Sequence, residues 1–226
     1  MNLKKLISLI LVIPSLAVLN VHFQTAAAAE RHDSDMDNSG WAAAVSGGML
    51  LPVSGSLDME NSSADLLDTG PELTLSVSKR VSSRFSTRIS AAAGRMNFAR
   101  EIYETSSNFS VASLVLSNSY SILRPGKLDI HIRAGAGMYY WRISEAEFFG
   151  EARQFEGEDL QKVSIGLQGG LGAELALSRR ISITAESNYN YILCRDTFHF
   201  GRGFTEQGII NINFGLKFYP LLKRER

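Results

Sequence analysis

Hydrophobic and polar residues alternate with a period of two along much of this chain. In 181–191, Ile181, Ile183, Ala185, Tyr189 and Tyr191 share one face, and Ser182, Thr184, Glu186, Asn188 and Asn190 share the other. Segment 210–218 repeats the pattern, with Ile210, Ile212, Phe214, Leu216 and Phe218 set against Asn211, Asn213, Gly215 and Lys217. In 128–140, Leu128, Ile130, Ile132, Ala134, Ala136 and Met138 oppose Asp129, His131, Arg133, Gly135, Gly137 and Tyr139, and 163–177 alternates in the same way. On a helix these residues would scatter around the cylinder, whereas a strand sends successive side chains to opposite faces. Four weaker segments, 41–51, 72–79, 84–96 and 108–123, bring the expected strands to eight.

The expected connections alternate in length. Long ones fall at 52–71, 97–107, 144–162 and 195–207, and short turns at 80–83, 124–127 and 178–180. The Pro125-Gly126 pair favours a tight reversal. Four long loops and three short turns are the plan of an outer-membrane barrel, with an even number of antiparallel strands, short inner turns and longer outer loops. Eight strands put both termini on the turn side.

The first 29 residues read as an export signal. Lys4 and Lys5 precede an apolar run over 6–19, and Ala27-Ala28-Ala29 offers a cleavage site before Glu30. The run is shorter than the ~20 residues of a spanning helix. The expected organisation is a signal peptide at 1–29, a short acidic tail at 30–40, a barrel at 41–219 and a basic tail at 220–226. Removing the signal takes away two lysines and leaves 21 basic and 23 acidic residues. That balance argues against a nucleic-acid partner, which would meet a basic surface. With 45% hydrophobic and 20% charged residues, the chain is also too apolar for intrinsic disorder. Its single cysteine, Cys194, excludes an intramolecular disulfide framework.

Alternation alone also fits a soluble ligand-carrying barrel with the faces reversed. The composition of the polar face favours the membrane. It is built mainly from Ser, Gly, Asn and Gln, which suit a crowded lumen, whereas a solvated face would be rich in Lys and Glu. Aromatic residues gather near strand ends, and Trp41, Tyr120, Tyr139, Tyr140, Trp141, Tyr189, Tyr191, Phe218 and Tyr219 are candidates for membrane-interface girdles. The expected fold is all-β: an eight-stranded antiparallel up-and-down transmembrane β-barrel with a cleaved signal peptide.

The signal, the eight strands and the stretch Ala173-Glu174-Leu175-Ala176-Leu177-Ser178-Arg179-Arg180-Ile181-Ser182-Ile183 resemble the OmpA/OmpX-type outer-membrane β-barrel superfamily. The resemblance implies a bacterial outer-membrane location, termini in the periplasm, and dealings with the barrel assembly machinery, outer-membrane lipids and lipopolysaccharide. One departure is the ending: seven residues follow Phe218-Tyr219, where many of these barrels stop on an aromatic.

Seven ionisable residues fall on the expected inner face: Glu72, Arg88, His131, Arg133, Glu174, Glu186 and Lys217. Buried charges need partners. They form either a structural network that fills the barrel or a gate across an ion path, and the narrowness of an eight-stranded barrel favours the former. The outer loops hold fourteen acids against five bases, while the turns and tail hold ten bases against one acid. No catalytic set is assigned. The mature histidines are His32, His131 and His199, and neither His131 nor His199 has a His-x-Ser neighbourhood suggesting a dyad. The acidic stretch 33–37 fails the calcium-loop rule, with Asn38 at the sixth position and Ala44 at the twelfth. The expected role is therefore a non-enzymatic envelope scaffold that engages a surface ligand through its outer loops, without cofactor or metal. A narrow ion or small-solute pore and a lipid-modifying enzyme are the alternatives.

Overall fold

The computed structural model describes residues 40–57, 62–99, 107–145, 151–155, 157–195 and 204–220. The expected signal peptide, most of the acidic tail, His32, His199 and residues 221–226 lie outside the described residues.

Eight strands close into one antiparallel barrel. In chain order they are β1 (Trp41–Ser54), β2 (Gly70–Arg80), β3 (Phe85–Asn97), β4 (Ser107–Leu123), β5 (Leu128–Glu145), β8 (Gln161–Ala176), β9 (Ile181–Ile192) and β10 (Gln207–Phe218). A four-residue helix, α1 (Ser63–Leu66), lies in the first loop, and a small hairpin of β6 (Gln154–Phe155) and β7 (Glu158–Asp159) lies in the third. Each barrel strand pairs with its chain neighbours. β1 pairs with β10 from Ala43↔Phe218 to Ser54↔Gly208, so the barrel has no free edge. Closure leaves no row of unpaired amides in the apolar phase, where each would be costly. The β1–β10 register slips between Pro52 and Ser54, and proline, which has no N–H to give, is tolerated at such an irregularity.

The strands run longer than the alternation predicts mainly at the loop end, while their turn ends fall within one residue of the expected bounds. β1 continues past Leu51 to Ser54, and β5 past Tyr140 to Glu145. In β1 the extension brings apolar Pro52 and Val53 side by side, and in β5 the apolar residues Trp141 and Ile143 move to the inner face, so neither continues the apolar-out pattern.

The faces point as a membrane requires. Leu73, Leu75 and Val77 of β2, Leu114 and Leu116 of β4, Ile165 and Leu167 of β8, and Phe214 and Leu216 of β10 all project outward and exposed. Soluble monomers rarely expose a contiguous apolar patch above a few hundred Å², and here the belt continues around the barrel. Inside, Ser46, Ser76, Ser78, Ser90, Ser117, Ser119 and Thr184 line a buried polar wall. This is a transmembrane barrel with a side-chain-filled lumen.

Six of the expected interface aromatics project from the outer wall. Trp41, Tyr120 and Phe218 stand exposed near the turns, and Phe85, paired with Tyr120, joins them. Tyr189 and Tyr191 stand toward the loops. Tyr140 also faces outward there, half-buried beneath Arg142, whose guanidinium carbon lies 5.6 Å from the ring centre.

The other three do not belong to a girdle. Tyr139 and Trp141 are buried inside the barrel, and Tyr219 turns into its turn-side mouth. Parity is the reason for the first two. They share the β5 face of His131 and Arg133, so proximity to the strand end does not bring them to lipid. Tyr219 likewise falls two residues after inward-facing Lys217.

Candidate functional site

The lumen is organised in four tiers. At the turn-side mouth, Lys217 Nζ donates to Glu174 Oε2 at 2.9 Å, and the Tyr219 hydroxyl donates to Glu174 Oε1. Burial beside that carboxylate pushes the Tyr219 phenol well above its ordinary range. Across the mouth, Arg124 Nε approaches Asp129 Oδ2 at 2.9 Å, and Ser121 Oγ donates to the same oxygen at 3.0 Å.

The second tier crosses the barrel. Arg88 on β3 and Glu186 on β9 stand on opposite walls, four positions apart in the ring of strands. Arg88 Nη1 donates to Glu186 Oε1 at 2.6 Å. Arg133 of β5 approaches from the side and donates to both oxygens of Glu186, through Nη1 at 2.7 Å and Nη2 at 2.9 Å. A further donor, Arg133 Nε, reaches Ser119 Oγ at 3.1 Å, and His131 Nε2 lies 3.3 Å from Arg133 Nη2. One carboxylate thus holds two guanidiniums with charge-assisted hydrogen bonds.

The third tier is polar but carries one charge. The side-chain amides of Asn211 and Asn213 donate to Glu72 Oε2 at 3.0 and 2.8 Å. Tyr139 OH and Gln168 Nε2 both donate to Asn190 Oδ1, at 3.0 and 2.9 Å.

The fourth tier is apolar and forms a roof on the loop side. Trp141 lies between Phe109, ring centres 6.2 Å apart, and Phe204 of the fourth loop, 4.8 Å away. Its indole N–H donates to Ser164 Oγ at 3.1 Å, which satisfies its one polar atom. Leu50, Met96, Ile143 and Ile192 from the strands, and Leu67, Leu160 and Cys194 from the loops, complete the cluster. The first and fourth loops are tied together above it. Ser63 Oγ donates to Gln207 Oε1 at 2.5 Å, Gln207 Nε2 donates to the Ser56 carbonyl at 2.9 Å, and Thr205 N donates to that carbonyl at 3.0 Å.

Among the described residues, a cavity of about 160 Å³ lies between the turns, lined by Arg80, Arg84, Arg124, Lys127 and Asp129, and two smaller ones lie in the lumen. Of these two, one of about 50 Å³ opens at the turns and one of about 30 Å³ lies among the asparagines of the third tier. Arg88, Arg133 and Glu186 line both, so the ion bridge is the partition between them. Each of these two has room for only a few waters.

All seven expected lumen charges therefore face inward, but in separate groups. Arg88, Arg133, His131 and Glu186 meet in one tier, Glu174 and Lys217 pair at the mouth, and Glu72 is held by amides alone. Asp129 and Arg124 at the mouth, and Asn211 and Asn213 around Glu72, were not singled out from the sequence, although three of the four share a strand face with a residue that was. Among the described residues, His131 engages Arg133 and Asp129, and no serine hydroxyl contacts its ring. No cluster of three metal-ligating side chains occurs among the described residues.

No family model and no curated protein matches the sequence. Solved structures do. The crystal structure of Neisserial surface protein A superposes with a TM-score of 0.56 and 15% identity, covering 80% of this chain and 97% of that one. The chain has that protein's eight-stranded outer-membrane barrel fold. Looser likenesses are to outer membrane protein AlkL in lipid bilayers (TM-score 0.48, 15% identity, 84% of this chain and 94% of that one) and to Ail, the attachment invasion locus protein of Yersinia pestis, in complex with the heparin analogue sucrose octasulfate (0.46, 14%, 79% and 99%).

Proposed function

We propose that this protein resides in a bacterial outer membrane, with both termini in the periplasm, and acts without catalysis, as a scaffold whose loops engage a partner at the cell surface. The observation that carries this reading is the closure of the lumen. The Arg88–Glu186–Arg133 bridge spans the barrel at its middle, and the Trp141 cluster roofs it toward the loops. Among the described residues, a lumen filled in this way leaves no continuous channel, which supports recognition by the loops over passage through the barrel. Loops on a rigid scaffold are the usual seat of recognition.

The outward aromatics and the basic turns fit the same setting. Trp41, Phe85, Tyr120 and Phe218 ring the turn side, where amphipathic rings favour the headgroup level. Lys79 sits over the Trp41 ring at 5.3 Å, within reach of anionic headgroups. On the loop side, Tyr140, Tyr189 and Tyr191 would meet the lipopolysaccharide leaflet. The outward wall of β10, ending in Phe218, is the surface offered to the barrel assembly machinery.

The experiment has two parts. Outer-membrane fractions from expressing cells are run on detergent gels with and without boiling, and the purified barrel is then placed in planar bilayers. A heat-modifiable outer-membrane band with no stepwise conductance is expected. Stepwise conductance that rises in Glu186→Gln would replace the scaffold by a pore gated at the bridge. An altered lipid profile on expression would replace it by a lipid-modifying enzyme.

A further inference from the structure

The turn-side cavity carries more positive charge than the barrel consumes. Six cationic side chains line it, Arg80, Arg84, Arg88, Arg124, Arg133 and Lys217, against three carboxylates, Asp129, Glu174 and Glu186. Glu186 holds Arg88 and Arg133, Asp129 holds Arg124, and Glu174 holds Lys217. Among the described residues, no lining carboxylate is left for Arg80 and Arg84. Neither has a carboxylate partner among the described residues.

Arg80 is half-buried and Arg84 exposed, and both line the cavity at the mouth of the lumen. Ser86 and Arg88 alternate inward along the start of β3, and Arg84, just ahead of that strand, lines the same cavity, so the three run from the exposed mouth to the ion bridge. Arg80 pairs with Ser86 on the adjoining β2 and faces the same space. At the inner end, the Arg88 side chain is only 10% exposed, and its buried Nε has no hydrogen-bond partner. A buried donor left unmade is costly. Three guanidiniums along one vestibule also repel one another unless an anion joins them. The hydroxyls of Ser86, Ser119 and Ser121 line the same recess and add neutral donors.

We propose that this vestibule binds a soluble phosphate-class oxyanion, gripped by Arg80 and Arg84 with Arg88 at its inner end. Planar guanidinium forks match a tetrahedral oxyanion with paired hydrogen bonds. The cavity of about 50 Å³ suits a group of that size, not a large ligand. Its mouth lies on the barrel axis, away from the apolar wall, so the ligand arrives from water.

The test is calorimetric titration of the refolded barrel with inorganic phosphate, in a phosphate-free non-ionic detergent at matched ionic strength. Saturable binding is expected, weakened at least tenfold in Arg80→Gln/Arg84→Gln. Arg84→Gln alone, at an exposed position ahead of β3, gives the same direction of change without risk to the fold. The control is Lys79→Gln/Arg179→Gln, which removes two charges from the same rim but outside the cavity lining, and it binds within twofold of the parent. No saturation in the parent, unchanged affinity in both Arg84 variants, or equal weakening in the control would each overturn the proposal. The outcome is independent of what the loops bind.

Discussion

Arg88 and Glu186 reach from opposite walls of the barrel and meet at 2.6 Å. Arg133 closes on the same carboxylate at 2.7 Å, so one acid is shared by two bases in a space that is nearly dry, and the trio keeps one positive charge in excess. The arrangement is asymmetric. Either arginine can be lost while the other keeps Glu186 paired, but loss of Glu186 strands both.

Glu186→Gln is therefore expected to be the most damaging single change in the lumen. Removing one partner of a buried ion pair costs about 3–5 kcal/mol, because the remaining charge is left uncompensated. Arg88→Met should cost less, since Arg133 still donates twice to Glu186. The triple variant Arg88→Met/Arg133→Met/Glu186→Leu should recover much of the loss, since apolar replacement removes the buried charges altogether. The urea midpoint for loss of the heat-resistant gel band measures all three. Midpoints for Glu186→Gln and Arg88→Met equal to the parent's would show that the bridge does not bear on stability.

The two tryptophans report the two faces separately. Trp41 is 44% exposed on the outer wall, whereas Trp141 is 0% exposed within the roof. In vesicles of brominated lipid, Trp141→Phe should retain the quenching seen in the parent, and Trp41→Phe should lose nearly all of it. Strong quenching of Trp141 would put that residue back on the lipid wall and undo the apolar roof.

The misplacement of Trp141 shows what the alternation could and could not convey. In β9 and β10 each polar position faces other polar positions across the lumen, so period two alone assigns Glu186, Asn190, Asn213 and Lys217 to the inside. At the loop end of β4 and β5 the inner face becomes apolar, with Phe109, Val111, Tyr139, Trp141 and Ile143. There hydrophobicity no longer separates the faces, and an aromatic near a strand end suits a girdle and a plug equally. Parity separates them, since Trp141 lies eight positions from Arg133 and so shares its face. The partners of each charge were less legible. Arg88 finds Glu186 because β3 and β9 lie opposite in the closed ring, and that depends on the register of every strand between them.

Gly48 tests how tightly that register is packed. It pairs with Asn213 on one side and Glu72 on the other, and an added Cβ would run into the Ile212 carbonyl and the Asn213 side chain. Asn213 is one of the two amides that donate to Glu72, so the strain would reach a buried carboxylate that has no cation of its own among the described residues. Gly48→Ala is expected to lower stability by about 1–3 kcal/mol, as overpacking does elsewhere. Gly169→Ala, where a Cβ meets nothing within 4 Å, should be neutral in the same urea series. A neutral Gly48→Ala would mean that β1 and β10 can slide apart at this level.

Cys194 reports whether the loop-side roof stays shut. It is 0% exposed, and its thiol donates to the Thr205 carbonyl at 3.3 Å. Burial pushes the thiol up to about 12, against an ordinary value near 8.5. The thiolate is the species that attacks maleimide, so near pH 7.5 almost none of the folded protein's thiol is in reactive form, and what there is remains covered. The parent should resist labelling until it is unfolded in urea. Phe204 stacks on Trp141 and belongs to the cluster that covers the thiol, so Phe204→Ala should open this corner. A thiol returned to water would also regain its ordinary titration, so labelling of the variant should rise from pH 7 and level off above pH 9. Labelling of the parent should stay slow through the same range, because its thiol remains protonated. Rapid labelling of the native parent at pH 7.5 would show that the fourth loop lifts from the roof, and that the lumen is open toward the loops more often than its packing implies.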